Sequence, residues 1–357
     1  MRMGSSMKKV GIVTVYGEQN YGNKLQNYAL VQIFKKLGFY PITLQGRQSA
    51  LRLSAKQKGK NLIKAIMAKT PTKSSHAQYY RREENFKNFS RHYLNLSKGF
   101  FTDGADIAFL NSFDVLSVGS DQVWNDADFN QADVKYFSLN GITGPKKISF
   151  AASIGKKDFQ AKFKLMFVTG LNDFDFISCR EESAVAYLSG ILDKECILMM
   201  DPTLFLDGND WNCMEKKPGW LHKHDYYLEY FLGGVNPECL KIIPDNGNII
   251  NMMDVSSDAF VSSPSEFIYL IHHAKAVFTD SFHACIFSML FDRPFIVFNR
   301  LNALSNMNSR IDTLFEEFSV DGHMGEVITP EKYLSFEAIV ENKRKEYTKL
   351  LLEVLNN

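Results

Sequence analysis

Residues 274–298, AKAVFTDSFHACIFSMLFDRPFIVF, hold two apolar strands and an apolar helix with almost nothing between them. Residues 276–279 (AVFT) read as a short strand. Asp280 and Ser281 are turn and helix N-cap residue types, and residues 284–291 form a helix with no face left for water. Arg293-Pro294 breaks that helix, and residues 295–298 read as a second buried strand. In an open α/β sheet the seam between first strand and helix lies at the carboxyl edge, where ligands bind. A helix N-terminus there also offers free N–H groups to an anion. His283 is thus a titratable group delivered to an anion-friendly edge; a capping pair beside a histidine satisfied in the core fits the local pattern equally well.

The same strand-to-polar-exit pattern recurs upstream. Residues 9–16 read as a buried strand, followed by the loop 17–23, helical spacing over 25–37, a stop at Gly38 and a strand over 41–44, a βαβ opening. The loop is neither GxGxxG nor a Walker A sequence, so it names no dinucleotide and no ATP. Asn20 and Asn23 in it suit a grip on a sugar or phosphate, or a plain connection. Residues 113–118 run into Gly119-Ser120-Asp121-Gln122-Val123-Trp124, a plausible ligand rim. Strands over 147–152, 174–179 and 197–200 end in Ser153-Ile154-Gly155, Arg180-Glu181-Glu182 and Asp201-Pro202-Thr203. Arg180 repeats the placement of His283, although a salt bridge to Glu181 would also account for it. Five such exits predict one parallel sheet with a shared ligand edge.

At 357 residues the chain is long for one core, and two domains are expected. Residues 207–225, with Pro218 and Gly219, read as the boundary. The expectation is an N-terminal α/β domain over 1–206, a second over 207–329, and a helix in 330–357 packing back on the first. Strands over 226–232 and 249–252 open the second unit, and Ser263-Pro264-Ser265-Glu266 is a capping box with proline at the first helical position. Residues 47–98 carry 13 Lys/Arg against 2 Asp/Glu, with helical stretches over 61–69 and 79–93. Such an insertion is either a solvated face or a contact for anionic lipid or a pyrophosphate-bearing acceptor.

A net charge of +1 gives no reason to expect nucleic acid. The five cysteines (Cys179, Cys196, Cys213, Cys239, Cys285) form no CxxC pair, which argues against a zinc site or a disulfide framework and favours a reducing, cytoplasmic setting. The start MRMGSSMKKV has no apolar signal-peptide core, and no apolar run reaches membrane-spanning length. His222/His224 and His272/His273 are close pairs joined by no HExxH or acidic cluster, so a surface or packing role is expected for all four and no metal is predicted. No GxSxG elbow supports a serine triad. What remains is one edge histidine with Arg180, Arg300 and Arg310, whose forks suit a small ligand carrying phosphate and carboxylate.

The ordered set NYGNKLQNYAL (20–30), GSDQVW (119–124), SFAASIG (149–155), SCREESAVAYL (178–188), MDPTLFL (200–206), TDSFHACIFSMLFDRPFIVF (279–298) and NSRIDTLF (308–315) resembles the polysaccharide pyruvyl transferase family. The likeness spans residue 8 to about 320, and seven motifs in register are specific where each alone is weak. It implies two Rossmann-like α/β domains in a GT-B-like arrangement with a cleft between them. It also implies transfer of an enolpyruvyl unit from phosphoenolpyruvate to a sugar as a cyclic ketal, with no metal or redox cofactor. The acceptor would be a surface polysaccharide or its lipid-pyrophosphate-linked precursor, met at the inner face of the membrane. By the same resemblance His283 is the acid/base residue and Arg180 binds the donor. Better-understood members carry an arginine two residues before the histidine; this chain has Ser281, which is expected to stay among the donor-binding residues while Arg300 or Arg310 supplies the phosphate clamp. Asn20, Asn23, Asp121 and Gln122 are the candidates for reading acceptor hydroxyls. A GT-B glycosyltransferase using a nucleotide sugar, with Glu266 holding the ribose, and a non-catalytic sugar-binding module are the alternatives.

Overall fold

Two wholly parallel sheets, each reversing its strand order once, organise the chain; its computed structural model describes residues 7–17, 19–45, 75–97, 104–243, 247–301 and 309–356. The first sheet contains β1 (Lys9–Val13), β2 (Tyr40–Leu44), β3 (Val115–Asp121), β4 (Lys146–Ala152), β5 (Ile177–Cys179) and β6 (Cys196–Leu198), in the spatial order β2-β1-β3-β4-β5-β6. The second contains β7 (Tyr227–Tyr230), β8 (Ile249–Asn251), β9 (Val277–Thr279) and β10 (Phe295–Val297), ordered β10-β9-β7-β8. Every pairing within them is parallel. Parallel strands covered by helices on both faces read as continuous apolar runs, as most of these do. The order reverses between β1 and β3 in one sheet and between β7 and β9 in the other. A crevice opens at such a reversal, beyond the carboxyl ends of the strands.

The helices, numbered along the described chain, are α1 (Tyr21–Lys36), α2 (Ser75–Tyr93), α3 (Gly104–Leu110), α4 (Gln131–Phe137), α5 (Ala161–Leu171), α6 (Glu182–Ser189), α7 (Gly208–Asn212), α8 (Pro264–His272), α9 (Phe282–Leu290), α10 (Ser309–Glu317) and α11 (Phe336–Asn356). Helix α1 begins earlier than its apolar spacing predicted, because Asn20 caps it by accepting the Asn23 N–H (3.2 Å). The capping box at Ser263 forms as expected, with the Glu266 carboxylate accepting the Ser263 N–H at 2.7 Å. Ser281 occupies the N-cap position of α9, but its side chain makes no capping bond. No described helix is long and apolar enough to cross a membrane.

The two sheets organise two α/β units, and an apolar cluster runs from one into the other. Tyr21, the first residue of α1, stacks on Phe267 of α8 (4.4 Å, 6°) and donates its hydroxyl to Ser262 O at 2.8 Å. Burial pushes that phenol up to about 12. The predicted helical stretch 61–69 lies outside the described residues, but α2 corrects the solvated-face reading for part of the basic insertion. Its Arg82 is 1% exposed, lies over the Tyr21 and Phe260 rings, and donates to Phe260 O, to Gln19 O (3.1 Å) and to the Tyr21 hydroxyl (3.0 Å). Asn85 adds a bond to Val261 O (2.6 Å). Helix α2 therefore ties the loop before α1 to the second unit. An Arg82→Met variant strands those acceptors, and urea unfolding should show it less stable by about 1.5–3 kcal/mol.

At the other end of the chain, Arg344 on α11 donates to Leu204 O (2.6 Å) and Leu206 O (3.0 Å), and Tyr347 packs near Phe205. The last helix thus covers the residues that leave the first sheet.

Candidate active site

Three strand exits of the first sheet, those of β3, β5 and β6, and one of the second converge on a single buried cluster. Cys179 ends β5, so Arg180 emerges at the carboxyl edge; the turn after β6 delivers Asp201. Arg180 Nη1 donates to Asp201 Oδ2 at 2.6 Å, with the two side chains 1% and 0% exposed. Arg180 Nη2 lies 3.7 Å from Asp121 Oδ1, at the end of β3. Asp201 does more than pair. Its Oδ1 caps the three-ten turn Pro202–Phe205 by accepting the Thr203 N–H (2.9 Å) and hydroxyl (2.6 Å), and its Oδ2 also meets Ser120 Oγ at 3.3 Å.

His283 reaches the same carboxylate from the second unit, with Nε2 at 3.6 Å from Asp201 Oδ2. That distance is too long for a hydrogen bond, and among the described residues Nε2 has no hydrogen-bond partner. The opposite edge of the ring rests on α1: a methyl group at Gly22 would lie 2.1 Å from His283 Nδ1. Only a glycine lets the first helix approach this closely. Gly22→Ala should displace the imidazole, cost about 1–3 kcal/mol in thermal unfolding and depress turnover with it.

Electrostatics follow the geometry. Burial alone would raise the Asp201 carboxyl, but His283 and Arg180 outweigh it and hold the group well below the usual carboxylate range. Asp121 is likewise held down against burial, by Arg180, His283 and Arg310. Burial disfavours the Arg180 cation, yet Asp201, Asp121 and Glu181 leave its pKa raised. Arg310 is different: burial and the nearby Arg180 charge pull it down to about 10, and among the described residues it makes no ion pair. It is 6% exposed, and its Nε has no hydrogen-bond partner. Phe282, beside the histidine, lies between both guanidiniums, 4.7 Å from Arg180 and 5.8 Å from Arg310.

The remaining predicted residues are placed as follows. Arg300 pairs with Asp280 (Nε–Oδ2, 3.2 Å), and Asp280 also accepts the Leu232 and Gly233 N–H groups, both at 2.8 Å, across the β7/β9 reversal. Ser281 is buried beside His283, its N–H donated to Thr279 Oγ1 at 3.0 Å. Asn23 closes the loop after β1 by accepting the Gly17 N–H (3.0 Å) and comes within 3.4 Å of Asp121 Oδ2. Asn20 is exposed and spent on its cap. Gln122 packs under Gly155, where a methyl group would lie 2.4 Å from its Nε2. Glu181 does not pair with its neighbour Arg180 by hydrogen bond. Its Oε1 gathers Ser153 Oγ (2.8 Å), Ile154 N (2.9 Å) and Gly155 N (3.0 Å), locking the β4 exit.

Sequence reasoning missed Asp201 and Gly22. Asp201 had a signal, a carboxylate at a strand exit like the charges at Arg180 and His283. Gly22 had none, since its partner lies on the other unit.

Among solved structures, a functionally uncharacterised protein from Klebsiella pneumoniae shares 14% identity, with 87% of this chain and 89% of that one covered and a TM-score of 0.44. The UDP-GlcNAc 2-epimerase of Methanocaldococcus jannaschii shares 12%, covering 94% and 99%, at 0.45. A putative UDP-N-acetylglucosamine 2-epimerase from Listeria monocytogenes shares 10%, covering 96% and 91%, at 0.48. At these values the likeness bears on neither substrate nor chemistry. No curated protein sequence matches the chain. The sequence pattern of one family, described as polysaccharide pyruvyl transferase, matches residues 20–302, which takes in Asp121, Arg180, Asp201 and His283 but not β1 or Arg310, and the chain belongs to the polysaccharide pyruvyl transferase family.

Proposed function

We propose that the protein transfers a pyruvyl group from phosphoenolpyruvate to two hydroxyls of a sugar, in a surface polysaccharide or its lipid-linked precursor, closing a cyclic ketal. The observation that carries this reading is Arg310, a buried guanidinium with no ion pair among the described residues and an unpartnered Nε. A buried guanidinium with no direct ion pair, on which Asp121 and Glu181 act only at longer range, is costly, and a small anionic donor would supply a direct partner. Among the described residues Arg180 Nε and Nη2 and His283 Nε2 also lack hydrogen-bond partners, which leaves polar atoms of the same cluster free to meet a ligand. Arg300, already paired with Asp280, is the weaker candidate for the phosphate clamp left open by Ser281.

In this scheme the first sugar hydroxyl adds to C2 of the enol phosphate while C3 gains a proton. The proton lost by that hydroxyl balances the one gained at C3, and His283 is the group proposed to pass it. Phosphate then leaves from C2, stabilised by Arg310 and Arg180 as charge moves onto it, and the second hydroxyl closes the ring, its proton leaving with phosphate. Asp201 holds His283 and Arg180 in register without touching substrate. Asp121 and Gln122 on the rim, with Asn23 behind Asp121, are the groups proposed to meet the acceptor.

The nucleotide-sugar reading loses its anchoring residue, because Glu266 is committed to Ser263 in the capping box. The direct test is phosphate release from phosphoenolpyruvate with a panel of lipid-linked and model galactosides. Release that depends on acceptor supports the proposal; UDP-sugar turnover without phosphate release overturns it. Arg310→Ala should raise KM for phosphoenolpyruvate by roughly tenfold or more, the loss of one charged hydrogen-bond partner.

A further inference from the structure

We propose that Glu215, His272 and His273 form a binding site for a divalent transition metal, best matched by Zn²⁺. The imidazole and carboxylate donor atoms of these three residues all lie within 4.8 Å of one another. His272 Nδ1 stands 2.9 Å from Glu215 Oε2, and His273 Nε2 stands 3.5 Å from Glu215 Oε1, so each carboxylate oxygen faces a different ring. A two-histidine, one-carboxylate set that leaves a fourth position to water is a common zinc geometry, and the nitrogen-rich donors disfavour Mg²⁺ and Ca²⁺.

The donors are held from behind. The His272 ring lies flat on Phe291 (4.4 Å, 16°) and the His273 ring leans on Tyr269 (4.1 Å, 31°). The segment carrying Glu215 is anchored to α8 by the bond from Lys216 N to Ser265 O (3.1 Å). His272 ends α8 and His273 is its C-cap, so the helix dipole presents its negative end to a cation. Arg293 is the opposing charge nearby, with its Nε donated to Phe291 O at 2.9 Å. With no motif joining the histidine pair to an acid, the sequence predicts a surface or packing role for it; the third donor lies 57 residues away. Helix α8 leads into the start of β9 and His283 follows its end, so the metal would sit at the opposite edge of the sheet from the acid/base cluster. Its role there is to pin the segment after α7 to the second unit.

The test is a Zn²⁺ titration of chelator-treated full-length protein, followed by calorimetry and by the thermal shift that ligand binding to the folded state must produce. Co²⁺ substitution reports the coordination through its visible absorption. One equivalent bound by the wild type, weakened roughly tenfold or more in His273→Ala and in Glu215→Gln, is the expected result. His273 is the most exposed of the three, so its variant remains informative if His272→Ala fails to fold. A His222→Ala/His224→Ala double variant should bind as the wild type does. Absence of saturable binding in the wild type, or affinity unchanged by both His273→Ala and Glu215→Gln, overturns the proposal.

Discussion

Phosphate release from phosphoenolpyruvate should fall by ~10²–10⁴-fold in a His283→Gln variant, the range lost when a general acid/base is removed. Glutamine keeps a polar group of similar reach between Gly22 and Asp201 but cannot exchange a proton near neutral pH. Stability should fall somewhat as well, because His283 is one of the two groups that keep the buried Asp201 carboxylate ionised. Thermal unfolding measured beside the assay separates lost chemistry from lost fold. Phosphate release within about threefold of wild type would remove His283 from the reaction, since a proton-transfer role is worth far more than that. Unchanged modification of the polymer in cells by the same variant would favour a sugar-binding module instead.

What the sequence made legible follows from local physics. Strands buried on both faces are continuous apolar runs, so all ten could be placed, with ends misjudged by a few residues. Their exits are visible because polar and glycine residues must follow where the chain leaves the sheet, which is how Arg180, His283 and Asp121 could be named together. Contacts across the fold were not legible. The partner of Arg180 is Asp201 rather than its neighbour Glu181, because Glu181 is taken by the Ser153–Gly155 turn. Ser281 looks like a cap by type, yet the Thr279 hydroxyl takes its N–H and its own side chain makes no capping bond. Charge counting misread Arg82, since a surplus of lysine and arginine in 47–98 says nothing about which one turns inward. In that position its forked donors meet backbone carbonyls at a seam between two units, a use of arginine that composition cannot reveal.

Asp201→Asn should damage both stability and rate, and pH can tell the two apart. Asparagine preserves volume but leaves Arg180 buried without the carboxylate 2.6 Å away, and breaking such a pair typically costs about 3–5 kcal/mol. The folded Asp201 carboxyl lies well below its ordinary range because His283 and Arg180 outweigh its burial. A depressed folded value means the stabilisation is fully present above the unfolded value, near pH ~4, and drains away as pH falls through the folded value. The variant should therefore be less stable than wild type at neutral pH, and the gap should narrow progressively below pH ~4. Asp121 is depressed as well, so part of the acid sensitivity persists in the variant. Urea unfolding at a series of pH values measures this directly. In the assay, loss of a residue that positions His283 should lower kcat more than it raises KM. A variant as stable as wild type at pH 7, or one whose deficit is unchanged down to pH 3, would mean that Asp201 is not the ionised centre of this cluster.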